Sequence, residues 1–490
     1  MRGLVAIGAL VGLIERVVAW RSHLGALDGD EAVWGLMARH VADGELTAFM
    51  WGQAYGGTLE TLLAAPLLAV FPGSSVALRL VPLALTAVAA VLVWRVGRRT
   101  VGELCATAAG ILFWIWPTYS IWKSPRAHGF YGSGLALALL VLLLILRLSQ
   151  RPTRRDAALL GFVVGIGLWQ TAQLLPIAIV AAAWLVWRRP ATLRLAPLAL
   201  TCVLVGFLPW IVSNLRHDWW SFSFPPGAGT FVSRLRGVVN GALPVALGLR
   251  VPFDLGWVGG VAIGGVAMLG LYVGLVIVAV RTRKTPVSLL VAVAVIFPLI
   301  AATSTFTWIV DEPRYLYILS PVLALLVSVV LTSWQRVAAA MAVVTALTAF
   351  GLARMNDSSL FAARADGMFV PADFQPLITE LDRLGVDRVF ADYWVAYRLD
   401  FETDERIVAA ESPQERYIRI GRKVVVLDDD HVRYPPYVGE VSRSPRPGHI
   451  VLTGSVDESK VDTGLLRASG YRRSDVGGFT IWHLPARTLR

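Results

Sequence analysis

Three carboxylates stand close together just after the first apolar stretch of the chain, in the segment DGDEAVWGLMARH at residues 28–40. A carboxylate within hydrogen-bond reach of a hydroxyl can take its proton and activate the oxygen as a nucleophile. The structural alternative makes Asp28 a turn residue and Asp30 the N-cap of a helix that begins directly after it. Considered alone, the three residues Asp28, Asp30 and Glu31 favour the structural alternative.

Four other polar stretches carry the same mixture of aromatic, charged and amide side chains. They are WGQAYGGTLE at 51–60, with Tyr55 and Glu60; YSIWKSPRAHGFYG at 119–132, with Lys123, Arg126 and His128; WQTAQ at 169–173, with Gln170 and Gln173; and DEPRYLY at 311–317, with Asp311, Glu312, Arg314 and Tyr315. Cations beside aromatic rings either hold an anion or anchor the chain at a membrane surface. Buried amides either line a cavity or bond neighbouring helices, because each needs a hydrogen-bond partner.

The elements that must position these residues are membrane helices. Of the 490 residues, 56% are hydrophobic and only 16% are charged, whereas a soluble protein has about a quarter charged residues. Apolar runs recur along the chain, so the sequence predicts a polytopic α-helical membrane protein of about 11 spans. The spans are expected near residues 3–20, 77–95, 101–122, 130–148, 157–171, 173–187, 195–213, 257–280, 286–304, 315–332 and 336–353.

Clusters of Arg and Lys follow the even-numbered spans, as Arg95, Arg98 and Arg99 follow the second. Such clusters mark cytoplasmic loops. The alternation predicts a cytoplasmic N-terminus and an extracytoplasmic C-terminus, and it places all five polar stretches on the outer face. Topology therefore accounts for most of the net charge of +11, and nucleic acid is disfavoured as a partner.

The first span is interrupted by two charged residues, Glu15 and Arg16. The favoured interpretation is a mutually paired couple whose charged ends reach toward the membrane surface. The alternative is that both side chains face a polar cavity inside the helix bundle.

Two domains are predicted. Residues 1–353 are expected to form the transmembrane domain, with amphipathic helices at about 31–43 and 54–71 lying on the membrane in the outer loop. Residues 354–490 lack a long apolar run and alternate helix patterns such as QPLITELDRLG with strand patterns such as HIVLTG. This alternation predicts an extracytoplasmic α/β domain with a partly parallel sheet.

A resemblance rests on four segments: DGDEAVWGLMARHVADGE, GQAYGGTLETLLAAPLLAVF, ALRLVPL and DEPRYLYILSP. Together they resemble the bacterial branch of the GT-C glycosyltransferase superfamily. This branch is similar to the dolichyl-phosphate-mannose protein mannosyltransferases, the lipid A aminoarabinose transferases and the lipopolysaccharide-core galacturonosyltransferases. The resemblance covers roughly residues 1 to 350, and ADYWVAYRLDFETDERIVAAE at 391–411 resembles a segment that follows the last span in bacterial members.

The resemblance implies an enzyme of the bacterial plasma membrane that moves a sugar from a polyprenyl-phosphate donor to an acceptor hydroxyl, with inversion. Asp30 matches the general base, and Glu31 and Glu60 are further catalytic candidates. Fixed cations must neutralise the leaving phosphate: Arg314 is the first candidate, and Arg126, Lys123 and His128 form the second group. The expected substrate cavity comprises Asp28, Tyr55, Gln170, Gln173, Asp311, Glu312 and Tyr315. The acceptor is a glycan, a lipid or a protein, and membrane lipids are further partners.

No cofactor is required by a monophosphate donor, although a divalent metal on Asp28, Asp30 and Glu60 remains an alternative. The DDD run at 428–430 is interpreted as a solvated loop. A transporter or flippase of lipid-linked glycans is the rival function. It is disfavoured because no internal repeat is evident and the polar residues gather on one face. A non-catalytic scaffold would leave the five polar stretches unexplained.

Overall fold

The computed structural model describes residues 2–223, 229–304, 313–365, 367–411, 416–420, 423–427, 432–455, 458 and 463–485. The chain divides into two compact units. The helical unit comprises Met1–Leu24, Tyr55–Glu60 and Leu80–Phe361. The mixed unit comprises Gly25–Ala54, Thr61–Arg79 and Ala362–Arg490. Each unit is built from three separate segments of the sequence. The two domains predicted from composition, residues 1–353 and 354–490, are each continuous, and their limits stay a prediction.

Each of the eleven predicted spans contains helix. The helices up to residue 358 are α1 (Arg2–Arg21), α2 (Gly29–Ala42), α3 (Leu59–Val70), α4 (Ser75–Thr100), α5 (Glu103–Ile115), α6 (Thr118–Lys123), α7 (Tyr131–Gln150), α8 (Arg154–Gln170), α9 (Leu174–Arg188), α10 (Ala196–Gly206), α11 (Leu208–Arg216), α12 (Phe231–Gly237), α13 (Leu243–Ala246), α14 (Val261–Thr282), α15 (Val287–Ala301), α16 (Ser320–Ser328) and α17 (Trp334–Ser358).

Among the described residues, five helices are long and apolar enough to cross a membrane: α1, α4, α7, α14 and α17. The segment Pro190–Gly206 and α11, which meet at a bend of 54°, add a sixth if they form one broken span. Shorter apolar helices, among them α5, α9 and α15, accompany them. The fold is therefore mostly helical with several membrane-crossing helices, and the count of eleven spans stays a prediction.

The helices of this unit differ in what their apolar side chains contact. Those of α7 are almost all buried among neighbouring helices. In contrast, Val261, Ile263 and Val266 of α14 are 73%, 65% and 72% exposed. A soluble protein rarely leaves so large an apolar face uncovered, so α14 has the surface expected of a lipid-facing helix.

The mixed unit contains a five-stranded sheet. The strands of the described residues are β1 (Arg364–Ala365), β2 (Met368–Phe369), β3 (Arg388–Ala391), β4 (Val408–Glu411), β5 (Arg416–Ile420), β6 (Lys423–Leu427), β7 (Gly448–Leu452), β8 (Arg472–Val476) and β9 (Phe479–His483). The strand order of the five-stranded sheet is β4-β3-β7-β9-β8, in which β3 pairs in parallel with β4 and β7, and β9 pairs antiparallel with β7 and β8.

Among the described residues, four further helices belong to the mixed unit: α18 (Gln375–Leu384), α19 (Tyr393–Glu402), α20 (Pro435–Arg443) and α21 (Thr463–Ala468). An apolar core of side chains from α18, α19 and the sheet holds these elements together. The predicted C-terminal sheet, with its parallel and antiparallel pairs, is therefore present.

Candidate active site

The first acidic segment forms the start of α2, and its three carboxylates have different partners. Asp28, rather than Asp30, is the N-cap: its side chain accepts a hydrogen bond of 2.9 Å from the backbone N–H of Glu31. Glu31 is fully buried and accepts two hydrogen bonds, of 2.8 and 2.6 Å, from Arg79. Arg79 also donates to the carbonyl of Gly25 at 2.8 Å. The pair therefore fixes the start of α2 to α4.

Asp30 is half-buried in the first turn of α2. Its Oδ1 accepts a hydrogen bond of 2.5 Å from the hydroxyl of Tyr393, the first residue of α19. Burial, followed by the charge of Asp30, raises the pKa of Tyr393 well above its ordinary value. Tyr393 therefore stays protonated and is the donor in this hydrogen bond.

Small residues on α2 let α19 come this close. A Cβ added at Gly35 would lie 2.4 Å from Cε2 of Phe401, and one added at Gly29 would lie 3.2 Å from Cε1 of Tyr393. Asp392 caps the first turn of α19: its side chain accepts a hydrogen bond of 2.9 Å from the backbone N–H of Trp394. Glycine on one helix and a capped first turn on the other thus position the Tyr393 hydroxyl.

In the helical unit, Glu60 lies in a buried network with Ser133 and Gln170. Oε1 of Glu60 accepts a hydrogen bond of 2.7 Å from the backbone N–H of Ser133. The Ser133 hydroxyl donates to Oε1 of Gln170 at 3.3 Å. Burial raises the pKa of Glu60 from an ordinary 4.5 to about 7, against the opposing effects of the Ser133 hydrogen bonds and the charge of Lys123. Near neutral pH this carboxyl can exchange its proton.

The cations of the 119–132 stretch are buried among aromatic rings. Nζ of Lys123 lies 2.5 Å from Nδ1 of His128 and 4.5 Å from the ring centre of Tyr131. Arg126 donates to the carbonyl of Leu24 at 3.0 Å, and its guanidinium lies 5.0 Å from the ring centre of Trp122. Both cations are about 5% exposed. Such cations are fixed in direction, which is what stabilisation of a developing anion requires.

The remaining predicted residues are placed as follows. Arg314 and Tyr315 are half-buried in a turn just before the short helix Tyr317–Leu319. Tyr55 is 45% exposed, and its ring meets that of Phe130 edge-on at 6.5 Å. Gln173 directly precedes α9. Asp311, Glu312 and the DDD run at 428–430 lie outside the described residues.

The favoured interpretation of Glu15 and Arg16 is wrong, because neither side chain reaches a surface. They are 7% and 2% exposed. Arg16 donates to the Ser124 hydroxyl at 2.9 Å and to the carbonyl of Trp114 at 2.9 Å. Within the described part of the chain, neither oxygen of Glu15 has a hydrogen-bond partner. The alternative, a polar environment inside the bundle, describes Arg16 better.

Arg79 and Tyr393 are among the residues of these clusters that were not assigned roles from the sequence. Arg79 lies in the ALRLVPL segment, and its position five residues into α4 resembles an ordinary interface anchor. Tyr393 lies within the 391–411 segment that carried part of the resemblance. Nothing local connects Tyr393 to Asp30, which is 363 positions away.

Of the predicted metal ligands Asp28, Asp30 and Glu60, Asp28 alone belongs, among the described residues, to a group of side chains close enough to share an ion. One neighbour there is Glu31, which was not predicted as a ligand: ligand oxygens of the two lie within 4.8 Å of each other, but Glu31 already binds Arg79. Ca²⁺ takes six to eight oxygens, and Mg²⁺ is held through one or two carboxylates with several waters. The two acids are therefore a partial site, and a metal cofactor is not established.

The chain shares its fold with ArnT. The chain is similar to ArnT, a lipid A aminoarabinose transferase, from Cupriavidus metallidurans in its apo state, with a TM-score of 0.63, 13% identity and coverage of 98% of both chains. ArnT bound to undecaprenyl phosphate gives a TM-score of 0.64 at 14% identity, over 99% of this chain and 98% of that one. The Archaeoglobus fulgidus oligosaccharyltransferase matches with a TM-score of 0.48 at 13% identity, over 83% of this chain and 62% of that one.

No protein-family model matches the sequence, and no curated protein matches it significantly. The predicted resemblance to GT-C enzymes is thus confirmed through the fold.

Proposed function

We propose that this chain is an inverting glycosyltransferase that moves a sugar from a polyprenyl-phosphate donor to an acceptor hydroxyl on the outer face of the bacterial plasma membrane. The observation that carries the proposal is the likeness to ArnT over nearly the whole of both chains. One of those ArnT structures holds undecaprenyl phosphate, which is the lipid part of such a donor. The acceptor is a glycan, lipid or protein hydroxyl.

Asp30 is the proposed general base. One of its oxygens accepts a hydrogen bond from Tyr393, and the carboxylate is half-buried rather than sealed. The carboxylate takes the proton of the acceptor hydroxyl, the freed oxygen forms a bond to the anomeric carbon, and the bond from that carbon to the phosphate oxygen breaks. The lipid phosphate leaves with the electron pair. Attack opposite the leaving group inverts the anomeric carbon.

Glu31 and Glu60 remain candidates for supporting roles. Glu31 is committed to Arg79, so its role is to hold the first turn of α2 in place. Glu60 can exchange a proton near neutral pH because its pKa is about 7, and it is the alternative base.

Transfer by purified protein from a polyprenyl-phosphate sugar tests the assignment. Asp30→Asn keeps the shape of the side chain and removes its basicity, so turnover is expected to fall by roughly 10² or more. The control is Glu60→Gln, which should retain most activity. If Glu60→Gln is inactive and Asp30→Asn is active, the base is Glu60. If the unaltered protein transfers no sugar but moves the lipid-linked glycan across vesicles, the transporter alternative is correct.

Fixed guanidinium groups of the helical unit are proposed to neutralise the leaving phosphate. Arg314 is the first candidate, because a planar guanidinium can bind two phosphate oxygens at once. Arg126, with Lys123 and His128, is the second, because its buried setting among aromatic rings fixes the direction of the charge. In either case the cation acts on the donor and not on the acceptor.

Donor titrations separate the two candidates. Arg314→Ala is expected to raise the KM for the donor about tenfold or more, because hydrogen bonds to charged groups are the strong ones. Arg314→Lys should be intermediate, since it keeps the charge and loses the two-pronged geometry, and the KM for the acceptor should change little. A normal donor KM in Arg314→Ala together with a raised one in Arg126→Ala would assign the phosphate to the 119–132 stretch.

A further inference from the structure

The hydrogen bond between α2 and α19 joins the proposed base to a residue near the other end of the sequence. We propose that Tyr393 is a positioning residue for Asp30: its hydroxyl fixes one carboxylate oxygen so that the other takes the acceptor proton. This inference rests on the proposed function, in which Asp30 is the general base. It gives α19 of the mixed unit a part in the reaction, which it exerts through Asp30.

The contact is short and well supported on both sides. The Tyr393 hydroxyl lies 2.5 Å from Oδ1 of Asp30, and Tyr393 itself is only 5% exposed. Across the ring, the guanidinium of Arg433 lies 5.4 Å from its centre. Tyr397, one turn along α19, accepts hydrogen bonds from the backbone N–H groups of Arg433 and Tyr434 at 2.7 and 3.1 Å. These hydrogen bonds attach the segment at Arg433 to α19, beside the ring of Tyr393.

The direction of the hydrogen bond follows from the charges that face it. The buried hydroxyl of Tyr393 keeps its proton, because loss of that proton would place a second negative charge beside Asp30. Among the described residues, the cation that faces Tyr393 is Arg433, which also forms a side-chain hydrogen bond with the Tyr393 hydroxyl. Next to Asp30 on α2, the charge of Glu31 is neutralised by Arg79. A donated hydrogen bond stabilises the ionised carboxylate, and this is the form that can accept a proton from the acceptor hydroxyl.

Within the described residues, the Tyr393 hydroxyl is the one hydrogen-bond partner of the Asp30 side chain. With Oδ1 so occupied, Oδ2 is the oxygen that meets the acceptor. A carboxylate held by one oxygen keeps the other in a constant direction, and misplacement of a catalytic group by about 1 Å can cost 10²-fold in rate. Tyr393 thus acts through Asp30 and touches neither the sugar nor the lipid phosphate.

The test is a comparison of kcat and KM for sugar transfer by the full chain, between the unaltered protein and Tyr393→Phe. Removal of the hydroxyl leaves the ring in place and withdraws its hydrogen bonds to Asp30 and Arg433. We expect kcat to fall roughly ten- to hundredfold, because a misplaced base acts in the chemical step, and the KM values for donor and acceptor to stay unchanged. Tyr471→Phe is the matched control: it also removes one hydroxyl hydrogen bond of the mixed unit, that to the carbonyl of Pro447 at 2.9 Å, and its kcat should stay unchanged.

A purely structural role of Tyr393 would lower the amount of folded protein without changing kcat per folded molecule. Thermal unfolding of both variants is therefore measured beside the rates. A normal kcat in folded Tyr393→Phe, with Asp30→Asn inactive, would overturn this inference and leave the proposed function intact. Normal activity in Asp30→Asn would instead overturn the assignment of the base, whatever Tyr393→Phe does. If Tyr393→Phe does not fold, Tyr393→Met, whose flexible apolar side chain fills the site without a hydroxyl donor, takes its place under the same criteria.

Discussion

Two buried acids of this protein illustrate how one type of side chain acquires different properties. Glu31 has an arginine within 2.6 Å, so its charge is neutralised where it stands. Glu60 accepts a hydrogen bond of 2.7 Å from a backbone N–H. Burial raises the pKa of Glu60 by more than this hydrogen bond and the charge of Lys123 lower it. Removing Arg79 would leave an uncompensated buried charge, which typically costs about 3–5 kcal/mol, whereas Glu60 can become neutral by binding a proton.

The pH dependence of stability should report Glu60. Its pKa is about 7 in the folded chain against an ordinary 4.5, so the folded state favours the protonated form. This contribution is fully present below pH 4.5 and is lost as the pH rises through about 7. The thermal unfolding midpoint in detergent is therefore expected to fall between pH 5 and pH 8, by the equivalent of at most about 3 kcal/mol.

Glu60→Gln cannot ionise, so it should flatten this part of the stability curve. The measurement is a series of thermal unfolding curves at half-unit pH intervals for both proteins. An equal fall in the unfolding midpoint of Glu60→Gln would assign the effect to another group. Because it concerns folding alone, this result is independent of whether Glu60 takes part in transfer.

At the scale of elements, the contact between α2 and α19 depends on glycine. A Cβ at Gly35 would lie 2.4 Å from the ring of Phe401, which is buried to 1% exposure. Real Cβ atoms do not approach so closely, and a rigid buried ring has little room to move. The two helices can pack at this distance only because position 35 has no side chain.

Gly35→Ala is accordingly expected to destabilise the mixed unit by about 1–3 kcal/mol, the usual cost of overpacking. Gly439→Ala in α20 is the control: an added Cβ would meet only the far end of Arg443 at 3.4 Å, and alanine is the better helix former. Chemical unfolding curves measure both. Phe401→Leu should recover part of the loss when it is combined with Gly35→Ala, because the two sites are in contact. No recovery in the double variant would exclude the ring as the source of the strain.

The sequence predicts the helices and strands better than it predicts which of them pack against each other. Apolar runs are a local property, so every predicted span contains helix, and the strand pattern HIVLTG falls on β7. The helix α19 was not predicted: YWVAYRLDFE is buried on nearly all sides and so lacks a clear polar stripe. The central residues of α2 are likewise all buried. Its burial is therefore not confined to one side, as it would be in an amphipathic surface helix.

For the candidate site, the sequence indicated which types of side chain are present but not which partner each one has. The acids and cations could be named, but which acid caps a helix, which pairs with an arginine and which meets a tyrosine depends on residues far along the chain. Asp28 illustrates the limit: it is the N-cap that the pattern assigned to Asp30. The shift of two positions matters, because it leaves Asp30 available for chemistry.

At the scale of the whole molecule, the alternation of Arg clusters makes a topological prediction. Single cysteines at two exposed positions test it, after Cys105 and Cys202 are replaced by alanine. Ser442→Cys, in the mixed unit, should be labelled by a membrane-impermeant thiol reagent in intact cells. Thr285→Cys, in the loop after α14, should be labelled only after the cells are opened. The reverse pattern would place the first acidic segment in the cytoplasm and contradict an outer-face reaction.

The hydrogen bond between Asp30 and Tyr393 joins residues 363 positions apart, and this separation has a consequence during biosynthesis. Chains are made at roughly 5–20 residues per second, so α19 is synthesised on the order of 20–70 seconds after α2. For that interval α2 lacks the helix that covers Gly35 and its apolar neighbours. A nascent chain arrested before residue 393 therefore has the membrane-length helices α1, α4, α7, α14 and α17 but an uncovered α2, which is the surface that a chaperone or a quality-control protease would meet first.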